Sequence, residues 1–255
     1  MIIRKSEAEI ARMARAGEVV AGCLALIEEH AVPGTTTAEL DRLAEEFIRS
    51  HGGEPTFKGY KGYPAAICTS PNDMVVHGIP GAYALREGDV LAIDVGVTLD
   101  GFVADSAWTY AVGEIPAEAQ RLLDVCQAAL EAGIGEARLG NAVGDISEAV
   151  QRATEEAGYS VIRSLVGHGV GRSMHEEPQI PNFVQAHRGP ELREGMTLAI
   201  EPMITAGGPD VYVHDDDWSI STEDGSLAAH FEHTVAVTEA GPRILTAAKS
   251  PSLLP

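Results

Sequence analysis

A pseudo-two-fold α/β domain with a cleft between its halves is predicted from three observations. Residues 85–94 read Leu-Arg-Glu-Gly-Asp-Val-Leu-Ala-Ile-Asp, and residues 192–201 read Leu-Arg-Glu-Gly-Met-Thr-Leu-Ala-Ile-Glu. Seven of the ten positions are identical, and a carboxylate is last in both. A pair of amphipathic helical patterns precedes each copy, and apolar strand-like runs accompany each. The 255 residues, 45% of them hydrophobic, suffice for one sizeable core. No linker-like or low-complexity stretch divides the chain. One domain over 1–255 is therefore expected, with like halves at about 1–113 and 114–255.

The first half opens with apolar residues at helical spacing from Glu7 to about His30: Ile10, Met13, Val19, Cys23, Leu26 and Ile27. Pro33 and Gly34 mark a loop. Thr36 or Thr37 then offers a side-chain oxygen to the unpaired first N–H groups of a second helix. Leu40, Leu43, Phe47 and Ile48 form its apolar stripe, and Gly52-Gly53 stops it. A strand-like run from Val90 through Asp94 to Val97 follows. Asp100-Gly101 is a hairpin turn signal, because the favoured two-residue turn needs positive φ at both positions. Residues 102–110 form the return strand. With those two residues as the loop, Asp105 faces Gly96 and Asp94 faces Ala107, so the two aspartates become diagonal neighbours on one face.

The second half repeats the plan. Pro116 opens a helix carrying Leu122, Leu123, Cys126 and Leu130, which the glycines between 133 and 140 break. Asn141 precedes another helix with Ile146, Val150 and Ala153, ending near Gly158. Glu201 occupies the place of Asp94, and Glu232 lies in the strand-like run 228–237.

Charge narrows the possible functions. Only 18 Lys and Arg stand against 38 Asp and Glu, for a formal net charge of -20. Without a long basic run, such a chain is poorly suited to nucleic-acid phosphates or an anionic membrane surface. Cys23, Cys68 and Cys126 are odd in number and widely spaced, so reduced thiols are expected rather than a zinc knuckle or a disulfide framework. The N-terminal residues run straight into a charged amphipathic segment and lack the apolar core of a signal peptide. No apolar run approaches the roughly 20 residues needed to cross a bilayer. A soluble, intracellular protein is expected.

The paired carboxylates carry the chemistry. Two like charges side by side on apolar strands repel each other and lose hydration. They are tolerated by sharing a proton or by holding a cation. A duplicated fold brings Asp94, Asp105, Glu201 and Glu232 together around the pseudo-axis, and Lys and Arg are sparse in these strands. Metal ions are the natural neutraliser. His168, in Gly167-His168-Gly169-Val170-Gly171, adds a nitrogen where glycines permit close backbone approach. Oxygen-rich ligands with one imidazole suit Mn, Fe, Co or Zn. Five ligands serve two ions if two carboxylates bridge, and ion pairs of that kind, about 3.5–4 Å apart, activate a water for attack on a carbonyl.

The ordered set His77, Asp94, Asp105, His168, His175, Glu201 and Glu232 resembles type I methionine aminopeptidase. So do the strings Asn72-Asp73-Met74-Val75-Val76-His77-Gly78-Ile79-Pro80, Gly167-His168-Gly169-Val170-Gly171-Arg172, His175-Glu176-Glu177-Pro178, Ile200-Glu201-Pro202-Met203 and Phe231-Glu232-His233-Thr234. The resemblance runs from the first helix to about residue 247. It implies the pita-bread fold, a curved and mainly antiparallel sheet covered by helices. It also implies a dinuclear metallo-exopeptidase that removes the N-terminal methionine of nascent polypeptides and prefers a small second residue. Two divalent ions (Co, Mn, Fe or Zn) are implied, one on Asp94 and Asp105, the other on Asp105, His168, Glu201 and Glu232. Glu201 would handle the proton of the attacking water, His175 would stabilise the tetrahedral oxyanion or orient the peptide, and His77 would contact the scissile amide.

Tyr60, Tyr63, Cys68 and Trp218 resemble the family's methionine pocket, with core packing as the alternative role for each. Phe57 and Met174 depart from it, with bulk where a small residue is usual and a methionine where an aromatic is usual. His230 and His233 flank Glu232, either beside the site or on a strand surface. Arg172 and Glu177 are further candidates to orient ligands, and Asp215-Asp216-Asp217 reads as a solvated turn. The resemblance further implies a cytoplasmic monomer with transient ribosome contact, and no DNA or membrane partner. Two alternatives stay open: a proline-specific aminopeptidase of the same fold, and a non-catalytic binding module built on it.

Overall fold

Side-chain caps start three of the four helices described over residues 1–247 of the computed structural model. Ser6 Oγ accepts from Glu9 N, and the Glu9 carboxylate accepts from Ser6 N, at the start of α1 (Glu7–His30). Thr36 Oγ1 does the same for Glu39 N before α2 (Thr37–Ser50). The Asp145 carboxylate reaches back 2.7 Å to Ala142 N at the start of α4 (Val143–Glu156). In α3 (Ala117–Glu136), Pro116 stands at the entry.

α3 ends at Glu136, within the glycine-containing stretch 133–140 expected to break it, but it runs through Gly133 itself. A Cβ at this position would lie 2.8 Å from a Val150 methyl and 3.3 Å from an Ile200 methyl. The glycine therefore lets α3 approach α4 and the sheet closely. That packing offsets a helix-propensity penalty of about 1 kcal/mol.

The first half supplies β1 (Glu54–Pro55), β2 (Cys68–Pro71), β3 (Met74–Val76), β4 (Val90–Leu99) and β5 (Phe102–Ala111). The second supplies β6 (Ser160–Val161), β7 (Val166–Gly169), β8 (Glu176–Pro181), β9 (Thr197–Ile200), β10 (Met203–Thr205), β11 (Val211–Val213), β12 (Ile220–Thr222), β13 (Ala228–His230), β14 (His233–Thr238) and β15 (Gly241–Ile244). Every described pairing is antiparallel. β4 joins β1, β2 and β5 in one sheet, and β15-β14-β9-β7-β8 form another. The hairpin register is the one the turn dictates: Gly96 faces Asp105 and Asp94 faces Ala107, with Asp100 at φ 50° and Gly101 at φ 76°.

The run 228–237 is not one strand. β13 pairs with β10 and β14 with β9, and residues 231–232 fall between. Pro202 stands opposite the gap and has no N–H to give, so the ladder is interrupted. His230 faces Met203 and His233 faces Ile200, so the interruption sets Glu201 against Glu232.

The two halves repeat particular backbone bonds. Leu85 N donates to Thr35 O as Leu192 N does to Asn141 O, and Thr37 N donates to Tyr83 O as Val143 N does to Pro190 O. Gly88 N donates to Val112 O as Gly195 N does to Val237 O, with φ 91° and 83° at the two glycines. One apolar core lies between α1, α2 and β4, with Leu40, Ile48, Leu91 and Ile93 fully buried, and another lies between α3, α4 and β9, with Leu122, Ile146 and Leu198. The expected half at 114–255 includes residues 248–255, which lie outside the described ones. Cys23, Cys68 and Cys126 are free and buried.

Candidate functional site

The halves meet along a seam of side-chain-to-backbone bonds, and the seam positions the acids. Asp105 N donates to Thr234 Oγ1 (2.9 Å), which donates in turn to Asp105 O (2.8 Å). Glu232 N donates to Ala107 O, and Ser106 Oγ donates to Glu232 O. Thr109 Oγ1 bonds both the N–H and the carbonyl of His230. These small hydroxyl side chains lock β5 against residues 230–234 and fix Asp105 beside Glu232.

All thirteen residues predicted for the site border one cavity of about 210 Å³. On its floor, ligand atoms of Asp105, His168 and Glu232 lie within 4.8 Å of one another. His168 Nε2 is 3.4 Å from Glu201 Oε1 and 3.9 Å from Asp105 Oδ2. Asp94 joins from β4, opposite Cys68 of β2. Asp105 and Glu232 are only 2% and 1% exposed. Asp94 Oδ1, Asp105 Oδ1 and Glu232 Oε1 are buried with no hydrogen-bond partner among the described residues. Buried carboxylate oxygens without donors are costly, and a divalent cation is the partner this donor set fits. His168 Nδ1 bonds to Gly169 O at 2.9 Å, which presents the Nε2 lone pair to the acids.

Burial dominates the electrostatics. It pushes Asp94 up to about 7. It also raises Asp105, Glu201 and Glu232 well above the usual carboxyl range, with help from one another's charges. Burial lowers His77 and His168 to about 4, so both are neutral at pH 7.

A carboxyl whose folded pKa lies above its unfolded value binds its proton more tightly in the fold, so stability falls as pH rises through that interval. Histidines with lowered folded pKa act oppositely, but only below their unfolded value near 6.5. Cation-free protein should therefore gain stability, read as a rise in Tm, as pH drops from 8 to 6.5. Below pH 6.5 the histidines oppose the gain. Calorimetric melts across this range test it; a Tm that is flat or falls from pH 8 to 6.5 contradicts the assigned burial.

At the mouth, His175 Nδ1 is 2.8 Å from the Tyr60 hydroxyl, and the two rings stack 5.5 Å apart. The His175 ring centre is 4.2 Å from that of His168. Partial desolvation and the nearby Lys61 ammonium lower its pKa. A buried ion pair underpins this loop: Lys5 Nζ donates to the Glu176 carboxylate at 2.6 Å, and that carboxylate also accepts from Arg172 N and Ser173 N. His77 sits at φ 59° and meets Trp218 edge-on, with ring centres 6.4 Å apart.

Phe57, Tyr63, Cys68 and Met174 form the apolar wall beside Trp218, and all four also belong to a buried cluster. A Cβ on Gly96 would lie 3.2 Å from both Phe57 and Met174. That glycine lets both bulky side chains occupy one end of the pocket.

Other expectations resolve differently. Arg172 pairs with Glu9 and lies over the Phe102 ring, and Glu177 is exposed; neither borders the cleft. Asp215-Asp216-Asp217 is an exposed turn in which Asp216 accepts from Trp218 N and Ser219 N. His233 Nδ1 bonds to Thr246 Oγ1. His230 borders the cleft itself, as do Lys61, Leu165 and Met203. His230 closes β13 two residues before Glu232, and its place beside the acids was open in the sequence as one of the two histidines flanking that residue.

Residues 11–239 match metallopeptidase family M24. Methionine aminopeptidase of Clostridium perfringens is 49% identical over 249 residues, 98% of this chain and 100% of that protein. Methionine aminopeptidase 1 of Bacillus subtilis is 47% identical over 246 residues, 96% of this chain and 99% of its own. The crystal structure of methionine aminopeptidase from Rickettsia prowazekii superposes with a TM-score of 0.95 at 42% identity, covering 97% of this chain and 100% of that one.

Proposed function

The chain belongs to metallopeptidase family M24, and from that premise we propose that it removes the N-terminal methionine of new polypeptides, preferring a small second residue. The observation that carries the reading is the cavity itself. Buried acids with unpartnered oxygens line one end, and an aromatic and thioether wall lines the other. Relatives that share nearly the full length and almost half the residues bear the name methionine aminopeptidase.

Asp94, Asp105, His168, Glu201 and Glu232 would hold two divalent cations of the Co, Mn, Fe or Zn type. When bound, such ions polarise a carbonyl and lower the pKa of water. Glu201, on the cavity floor beside His168, takes the proton of the attacking water. Tyr60 O–H donates to His175 Nδ1, which leaves the Nε2–H to meet the oxyanion that develops on the scissile carbonyl. Neutral His77 contacts the scissile amide. The substrate's free amine binds near Asp94. Phe57, Tyr60, Tyr63, Cys68, Met174 and Trp218 enclose the methionine side chain, whose flexible, polarizable thioether suits such walls.

The same reading takes the chain as one catalytic domain of two like halves, supported by the matched backbone bonds at Leu85 and Leu192. It places the enzyme in the cytoplasm as a monomer that meets nascent chains by transient ribosome contact. Among the described residues no helix is long and apolar enough to cross a membrane.

A cleavage assay with Mn(II)- or Co(II)-loaded protein tests the proposal. Release of methionine from Met-Ala-Ser, with no cleavage of Xaa-Pro peptides, is expected. Turnover of Xaa-Pro alone would assign proline specificity, and no turnover of either would leave a binding module.

A further inference from the structure

His230 lies on the cleft floor, 2% exposed, and neither of its ring nitrogens has a hydrogen-bond partner among the described residues. An orphaned buried polar group costs about 1–3 kcal/mol, so a ring kept there in that state calls for a use. Its Nε2 is 3.8 Å from Glu201 Oε2 and 3.9 Å from Glu232 Oε2. Those spans are too long for a hydrogen bond. A small rotation of either carboxylate closes one.

The contrast with His168 decides what this nitrogen offers. His168 anchors its Nδ1 on the Gly169 carbonyl, and its Nε2 lone pair faces the acids. Rings that ligate a cation almost always anchor their second nitrogen this way. His230 Nδ1 has no acceptor. If its Nε2 gave a lone pair to a cation, the Nδ1–H would be a buried donor with nothing to bond. If Nε2 keeps its hydrogen, the orphan is a lone pair, which is the more tolerable state. The acids supply the complementary need. No hydrogen bond to the side-chain oxygens of Glu232 is formed among the described residues, and its Oε1 is fully enclosed. Glu201 meets His168 through Oε1 at 3.4 Å and His230 through Oε2 at 3.8 Å.

We propose that His230 is a positioning residue for the metal centre, whose Nε2–H is the shared donor that aligns the Glu201 and Glu232 carboxylates while the ring itself binds no cation. The inference rests on reading the cleft as a metal centre. It does not depend on the charge of the ring, because Nε2 carries a hydrogen in the imidazolium as well.

Two variants of the full chain test it. His230→Gln keeps an N–H at the end of the side chain, and His230→Leu keeps bulk without one. Mn(II) affinity by calorimetry should fall about 10–100-fold in the leucine variant and recover to within about threefold of wild type in the glutamine variant. The cation-free leucine variant should melt no lower than wild type, since it exchanges an unpaired polar ring for an apolar group. The Co(II) visible spectrum of the glutamine variant should match wild type. Wild-type affinity in the leucine variant would overturn the proposal, as would a lower cation-free Tm with unchanged affinity. A glutamine variant as weak as leucine, with a shifted Co(II) spectrum, would make His230 a ligand and overturn it too. Wild-type protein that binds neither metal would instead remove the metal-centre reading beneath it.

Discussion

Substituting alanine for Asp105 is expected to strip the protein of its cations and to lower kcat/KM by roughly 10³-fold. Asp105 is the hub of the site. It is the one acid that neighbours Asp94 along the hairpin and also groups with His168 and Glu232 on the floor. Its carboxylate would serve both ions, so no other ligand replaces it. Losing the ions forfeits Lewis-acid stabilisation worth several kcal/mol, and each 1.36 kcal/mol is tenfold in rate. The fold should tolerate the change better than the chemistry does. Burial first, and then the charges of Glu232 and Asp94, raise the Asp105 pKa, so removing the carboxyl relieves that cost while leaving a cavity. Asp105→Asn separates these effects by keeping the volume. The cation-free asparagine variant should melt at or above the wild-type temperature, yet bind Mn(II) at least about 100-fold more weakly, beyond the losses typical of outer neighbours of a metal site. Metal content after dialysis and kcat/KM on Met-Ala-Ser measure both. Full metal content in the alanine variant would move the centre elsewhere.

That hub was legible in the sequence because short-range rules fixed it. Asp100-Gly101 permits positive φ at both turn positions, and this alone sets the pairing of Gly96 with Asp105. The repeated decapeptide put Glu201 in the role of Asp94. The spacing of apolar residues gave α1 from Glu7 to His30, the span found. In each case the deciding interaction lies within a few residues or follows from a strict period.

Features set by distant contacts were not legible. Gly133 reads locally as a helix breaker, and only the approach of Val150 and Ile200 shows why α3 continues through it. The run 228–237 reads as one strand, and only its partner's Pro202 divides it. Arg172 reads as a ligand-orienting group, yet its guanidinium is taken by Glu9 and Phe102 from α1 and β5. The dual bonding of Thr109 to His230 likewise joins residues more than a hundred positions apart. Cross-seam contacts of this kind carry no local period, so neither propensity nor motif announces them. They nonetheless decide which of the two histidines beside Glu232 faces the acids.

His175→Ala should leave metal content at the wild-type level and lower kcat by about 10²–10³-fold, the cost typical of removing one donor to a developing oxyanion. His175 stands at the mouth, exposed and outside the buried acid cluster, so truncation opens no core cavity and should change stability by about 0.5 kcal/mol or less. KM should change little, because a donor aimed at charge that exists only in the transition state adds nothing to ground-state binding. Tyr60 gives the prediction a second arm. Its hydroxyl lies 2.8 Å from His175 Nδ1, so Tyr60→Phe should keep the apolar wall while releasing that contact. A neutral hydrogen bond is worth about 0.5–1.5 kcal/mol, which sets the expected loss at about 2–10-fold in kcat. The tautomer itself can be read by ¹⁵N NMR, where the wild-type ring should carry its hydrogen on Nε2. Loss of bound metal in the alanine variant would place His175 on a cation. A change confined to KM would make it a contact for the substrate in its ground state, and the oxyanion role would fall.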